Sequence, residues 1–98
     1  MTAAAIPAHI LIVDDDEGLL RLMARTLQRE GFITATAGSG KDAMAWLAIN
    51  SAHLMLLDLK LQDIAGQDLI DQLASVGRSL RVASVEEIAR PKHKRVDE

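Results

Sequence analysis

Two short, uninterrupted apolar runs decide what this chain can fold into. Residues 10–13 read Ile-Leu-Ile-Val and stop at Asp14; residues 54–57 read Leu-Met-Leu-Leu and stop at Asp58. A run of this length with no polar alternation is what a strand buried on both faces requires, and such strands belong to parallel sheets. The first run begins one residue earlier, at His9.

Between and after these runs the period changes. Over residues 16–30, Leu20, Met23 and Leu27 recur at helical spacing, Arg21, Arg25 and Arg29 line another face, and Gly31 stands where such a helix is capped. Residues 32–37, rich in Thr and apolar side chains, read as a second strand. The turn Gly38-Ser39-Gly40 follows, and Ser39 with Asp42 three residues on resembles a capping box opening a second helix that buries Ala43, Met44 and Leu47. Leu69, Ile70, Leu73 and Val76 mark a third helix ending at Gly77, and residues 82–85 fit a fourth strand. The pattern leaves Trp46 open between core and surface.

Strands alternating with helices predict an α/β fold, a parallel sheet covered on both faces through right-handed crossovers. A length of 98 residues with 49% apolar content suits one small core and leaves no room for a second. The expected division is a flexible N-terminus over residues 1–8, a folded unit over 9–85 and a charged tail over 86–98. A domain so small is held by a narrow margin.

The net charge of −3 gives no electrostatic footprint for nucleic acid. The basic cluster Lys92, His93, Lys94 and Arg95 is balanced by acids in the same tail. The absence of cysteine excludes disulfides and thiolate metal sites and suits a reducing cytoplasm. Neither a secretory leader nor a membrane span is indicated, so the expectation is a soluble cytoplasmic protein without a membrane partner.

In open parallel sheets, ligands sit outside the carboxyl ends of the strands, where chain order reverses. Asp14, Asp15 and Asp58 occupy such ends. The first and third strands are neighbours in a doubly wound sheet, so these carboxylates converge although they lie far apart in sequence. Helix capping accounts for an acid at one strand end. It does not account for two buried-type strands that both end in acid. A hard divalent cation such as Mg²⁺ relieves the repulsion, because it prefers oxygen ligands and takes one or two carboxylates together with phosphate oxygens. A carboxylate can also attack a phosphoryl group to give an acyl phosphate, so one acid attacks while the others hold the metal.

The segments at residues 10–17 and 54–61, together with Gly66, resemble the response regulator receiver domain family over about residues 10–76. The resemblance implies a flavodoxin-like doubly wound sheet, here with four strands in the order 2-1-3-4 and three helices. It implies that Asp58 is phosphorylated by a sensor histidine kinase and that Asp15 is the main Mg²⁺ ligand, with Asp14 helping through water. The backbone carbonyl of Lys60 would complete the metal shell. Such a domain is a regulatory phosphoacceptor in a two-component phosphorelay, not an enzyme.

The chain departs from the family's pattern at several places. Gln62 stands where proline is usual and Ala65 where an acid is usual. The family's Thr or Ser at the end of the fourth strand falls near Glu86, with Ser84 the nearest hydroxyl, about 6 to 7 Å back along the strand. No lysine matches the family's phosphate-pairing Lys after the fifth strand, since Lys92 and Lys94 lie in the charged tail. The expectation is a C-terminally shortened receiver whose fourth strand is an open edge that invites self-association.

Other readings come from other classes. A pseudo-receiver would keep the fold as an interaction module that takes no phosphate. A phosphatase resembling the haloacid dehalogenase family would use Asp14 as nucleophile and Asp16 as general acid, but expects Thr or Val near Gly18 and a later Lys and acidic pair. Gly38-Ser39-Gly40-Lys41 resembles the end of a phosphate-binding P-loop, with Ala35 and Asp42 in place of the needed Gly and Ser or Thr. His9 and His53 fall at strand starts, at the opposite end of the sheet from the acids.

Overall fold

The computed structural model describes residues 7–75 and 80–85. Four parallel strands and three helices alternate: β1 (His9–Val13), α1 (Glu17–Arg29), β2 (Ile33–Ala37), α2 (Gly40–Ile49), β3 (Leu54–Leu57), α3 (Gly66–Ser75) and β4 (Arg81–Ser84). The sheet order is β2-β1-β3-β4, the order expected. Val13 lies beside both Ala37 and Leu57, so the three inner strands end level with one another.

Alternation along the strands divides the core into two layers. Leu11, Val13, Met55 and Leu57 face Ala43 and Leu47 of α2 and Leu69 and Leu73 of α3. Ile10, Ile12 and Leu56 face Leu20 of α1 and Val85. Because helices cover both faces, every residue of the two inner strands from Ile10 to Val13 and from Met55 to Leu57 is buried. Among the described residues, α1 alone covers one face. Trp46 packs half-buried against the layer under α2 and α3.

The helix ends follow local chemistry. Asp16 is the N-cap of α1 and its Oδ1 accepts the Leu19 amide at 3.1 Å. Gly31, at φ 96°, closes the other end: its N–H donates to Gln28 O, and the Phe32 N–H to Leu27 O. That pair of reversed bonds needs a left-handed residue, which glycine adopts without a Cβ penalty. Ser39 caps α2, its Oγ accepting the Asp42 amide at 3.0 Å.

Some boundaries differ from expectation. β2 begins at Ile33 rather than 32, and Phe32 instead packs on the α1 side of the sheet. β4 runs one residue earlier than residues 82–85, because pairing with the four residues of β3 selects Arg81–Ser84. The third helix starts at Gly66 and is described to Ser75; Val76 and Gly77 lie outside the described residues, as do residues 1–6 and the tail from Glu86. No helix of the described residues is long and apolar enough to cross a membrane.

The layered packing makes a graded prediction. Leu57→Ala, at a site with no exposed surface, removes atoms that touch both β-neighbours and α-helices, and costs about 2 to 5 kcal/mol. Leu22→Ala, on the exposed side of α1, stays within about 0.5 kcal/mol. Urea unfolding followed by circular dichroism checks both values.

Candidate functional site

The acidic rim is built by the sheet's own ladder. Asp58 follows β3, and its N–H donates to Val13 O at 2.9 Å, which brings it level with the end of β1. Asp14 follows β1, and its N–H donates to Ala37 O at 3.1 Å. Two acids from distant parts of the chain are thus held side by side by backbone bonds that do not depend on their side chains. The structure brings Asp14, Asp15 and Asp58 together, with one carboxylate oxygen of each within 4.8 Å of the others. Asp14 is buried, Asp58 half-buried and Asp15 exposed. Asp16, the proposed acid of a phosphatase, is instead turned onto the α1 N-terminus.

Each inner carboxylate is oriented by an amide two residues ahead. Asp14 Oδ1 accepts the Asp16 N–H at 2.9 Å, and Asp58 Oδ1 accepts the Lys60 N–H at 3.0 Å. These turns fix the carboxylates without neutralising them. Burial pushes the Asp14 carboxyl above its ordinary value, the Asp16 amide pulls it back, and the charges of Asp58, Asp15 and Asp16 push it up again. Among the described residues the one ion pair joins Arg21 and Glu17, so no side-chain cation is paired with the three acids. Two unit charges about 5 Å apart repel by about 3 kcal/mol at an effective dielectric of about 20, and by less where solvent screens Asp15.

An oxygen-only set of three carboxylates, one buried and none paired with a base, fits a hard divalent cation better than a softer metal. The loop after Asp58 brings Lys60 back towards the same rim. Lys60 pairs with Ala65 in an isolated antiparallel bridge, and the Gly66 N–H donates to Leu59 O at 3.0 Å. A Cβ on Gly66 would lie 2.7 Å from Leu59 Cα, so this close return of the chain requires glycine. Gln62 and Ala65, where the chain departs from the family's usual residues, are both exposed on this loop.

One residue of the loop escaped the reading of the sequence. Asp63 reaches across to α2, where Oδ1 accepts the Gly40 N–H at 3.0 Å and Oδ2 the Lys41 N–H at 2.9 Å. Those two amides, Gly40 first, hold its carboxyl below the ordinary value. No local pattern announces a cap supplied from more than twenty residues away. It also disposes of the P-loop resemblance: the amides of Gly40 and Lys41, which would meet a phosphate, already hold an internal carboxylate.

At β4 the register pairs Ser84 with Leu57, and Val85, which follows the strand, is buried in the α1-side layer. Partners in register share a face, and Ser84 therefore goes with Leu57 rather than with Asp58. Glu86, Lys92 and Lys94 lie outside the described residues. At the opposite rim, His9 and His53 exchange backbone-anchored bonds: His53 N–H donates to His9 O, and His9 N–H donates to His53 Nδ1, both at 2.9 Å. This mutual anchoring through the backbone suits a structural pair.

Comparison with known proteins gives the family. Residues 10–92 match the family model described as response regulator receiver domain. The chain is 37% identical over 70 residues to the transcriptional regulatory protein GlrR of Escherichia coli, a match covering 71% of this chain and 16% of GlrR. It is similar to the crystal structure of a response regulator receiver protein from Pseudomonas putida, with a TM-score of 0.74, 28% identity and coverage of 87% of this chain and 77% of that one. It is also similar to the response regulator MaeR bound to beryllium trifluoride, with a TM-score of 0.73, 31% identity and coverage of 80% and 66%. The parallel sheet in the order β2-β1-β3-β4, the acids at the ends of β1 and β3, and the family match over most of the sequence lead to one conclusion: this chain belongs to the response regulator receiver domain family.

Proposed function

We propose that the chain is a phosphorelay receiver in which Asp58 accepts a phosphoryl group from a sensor histidine kinase, with Mg²⁺ held by Asp14, Asp15, Asp58 and the backbone carbonyl of Lys60. The observation that carries the proposal is the meeting of three carboxylates at the ends of two neighbouring buried strands, with no side-chain cation paired to them among the described residues. A carboxylate oxygen of Asp58 attacks phosphorus, the bond from phosphorus to the donor's histidine nitrogen breaks, and the product is an acyl phosphate on Asp58. The Lys60 amide engages Oδ1, which leaves Oδ2 as the attacking oxygen in this reading. When bound, Mg²⁺ supplies positive charge against the transferring oxygens. MaeR, a neighbour in fold, is bound to beryllium trifluoride, an anion of phosphoryl-like shape, and this supports the same chemistry here.

In this reading the domain is regulatory and acts in the cytoplasm. The edge at β4 is a further place where a second copy could pair. The inert pseudo-receiver is favoured by one specific observation: Ser84, the last residue of β4, is in register with Leu57 rather than with Asp58, and the next residue is a buried valine that offers a phosphoryl group no hydroxyl. Incubation with acetyl phosphate and Mg²⁺ followed by intact-mass measurement separates the two. The receiver reading expects a single phosphoryl adduct that is lost in Asp58→Ala; an unmodified wild-type chain selects the inert module.

The raised Asp14 carboxyl makes a second prediction. Between the ordinary aspartate value and its raised value, the folded state binds more protons than the unfolded state, so stability from this group is full at low pH and falls as pH climbs through the window. Without divalent cation at pH 7, Asp14→Asn therefore melts above wild type, and the gap closes on acidification. Added Mg²⁺ reverses the order, because a ligand at one hundred times its Kd stabilises by about 2.7 kcal/mol and the variant has lost part of the site. Thermal melts at several pH values, with and without Mg²⁺, check the sign; equal Mg²⁺ responses from both proteins would remove Asp14 from the metal site.

A further inference from the structure

We infer that Asp63 is a positioning residue for Asp58: by capping α2 from across the molecule, it anchors the loop that sets the geometry of the acceptor carboxylate. The inference rests on the receiver reading for its chemical consequence and on geometry alone for the anchoring.

Three contacts in series carry it. At the base of the loop, the Lys60 N–H orients Asp58 Oδ1 at 3.0 Å. In the middle, the Lys60 to Ala65 bridge and the Gly66 N–H to Leu59 O bond close residues 59–66 into a compact return. At the tip, Asp63 places one oxygen on each of the Gly40 and Lys41 amides. Packing reinforces the tip, because Ile64 occupies the space in which a side chain at position 40 would stand: a Cβ built on Gly40 collides with Ile64 Cγ2. Beneath the loop Leu61 is buried in the larger core layer. The loop is therefore held at both ends and from below, and the only charged group in its tip anchor is Asp63.

The anchor uses a strong kind of contact. A carboxylate on two amides at a helix N-terminus combines charge-assisted hydrogen bonds with the positive end of the helix dipole. A neutral or shortened side chain at position 63 frees two amides of α2 and releases the loop tip. The release passes to Lys60 through the bridge, and from Lys60 to the direction of the Asp58 carboxylate. Small displacements of a nucleophile matter: about 1 Å can cost on the order of a hundredfold in rate. Ser39 provides the control, since its hydroxyl caps the same end of α2 through the Asp42 amide without touching the loop.

The test uses the full 98-residue chain as wild type, Asp63→Ala, Asp63→Asn and Ser39→Ala. The first readout is amide hydrogen exchange at Lys60 by NMR. Asp63→Ala is expected to accelerate it by tenfold or more, on the order of the loss of one anchoring contact. Asp63→Asn, which keeps one accepting oxygen, falls between, and Ser39→Ala matches wild type. The second readout is the initial rate of phosphoryl adduct formation from acetyl phosphate, expected to fall by roughly tenfold to a hundredfold in Asp63→Ala and to be unchanged in Ser39→Ala. Unaltered Lys60 exchange in Asp63→Ala, or equal acceleration in Ser39→Ala, overturns the inference. If wild type forms no adduct, the receiver reading fails while the exchange readout still decides the anchoring.

Discussion

The pairing of β1 with β3 is the contact on which everything else in the molecule depends. Ile10 to Val13 lie in register with Leu54 to Leu57, and the ladder continues one step further, from the Asp58 amide to the Val13 carbonyl. Both core layers are built on these two strands, since each supplies residues alternately to the α1 side and to the α2 and α3 side. The same register that fills the core also brings Asp14 and Asp58 onto one rim. Burial of apolar surface, at about 25 cal/mol for each Å² removed from water, is thus what holds mutually repelling carboxylates together. A slip of one residue would exchange the side chains that each close-packed layer receives and would part Asp14 from Asp58, so the site is specified together with the core.

Burial of the Asp14 carboxylate among other acids opposes folding. Asp14 is buried, the one described bond of its carboxylate is to a backbone amide, and its neighbours are acids. Conflict of this kind between local energetics and overall fold is characteristic of places kept for chemistry rather than for stability. The rest of the described structure shows little of it. Helix ends are capped by Asp16, Ser39, Gly31 and Asp63, and no buried side-chain polar atom among the described residues lacks a partner. The crowding of like charge in the described structure lies at this rim, where a bound cation would relieve it.

The fold was legible because its signals are local. Continuous apolar runs marked β1 and β3, the 3.6 period marked α1, and Gly31 and Ser39 marked ends that their backbone and side chains confirm. The acids of the rim were legible as strand ends once the strands were taken as neighbours. What stayed hidden depends on contacts between distant segments. Asp63 caps a helix far behind it in sequence, and nothing around position 63 or position 40 announces the other. The edge strand β4 was displaced by one residue, because its limits come from register with β3 and not from the composition of residues 81–85.

The parallel topology has a consequence for the molecule's electric field. Each strand runs towards the acidic rim and each following helix runs away from it, so α1, α2 and α3 all begin on that side. Their positive ends face the same water that the carboxylates face, and an ion approaching from solution meets attraction and repulsion within a few ångströms. One of the three positive ends is spent internally on Asp63 and another is shared with Asp16. The start of α3 has Asp68 in its first turn and its Gly66 amide bonded to Leu59 O, so each of the three helix starts on this rim has an acid of the chain itself beside it.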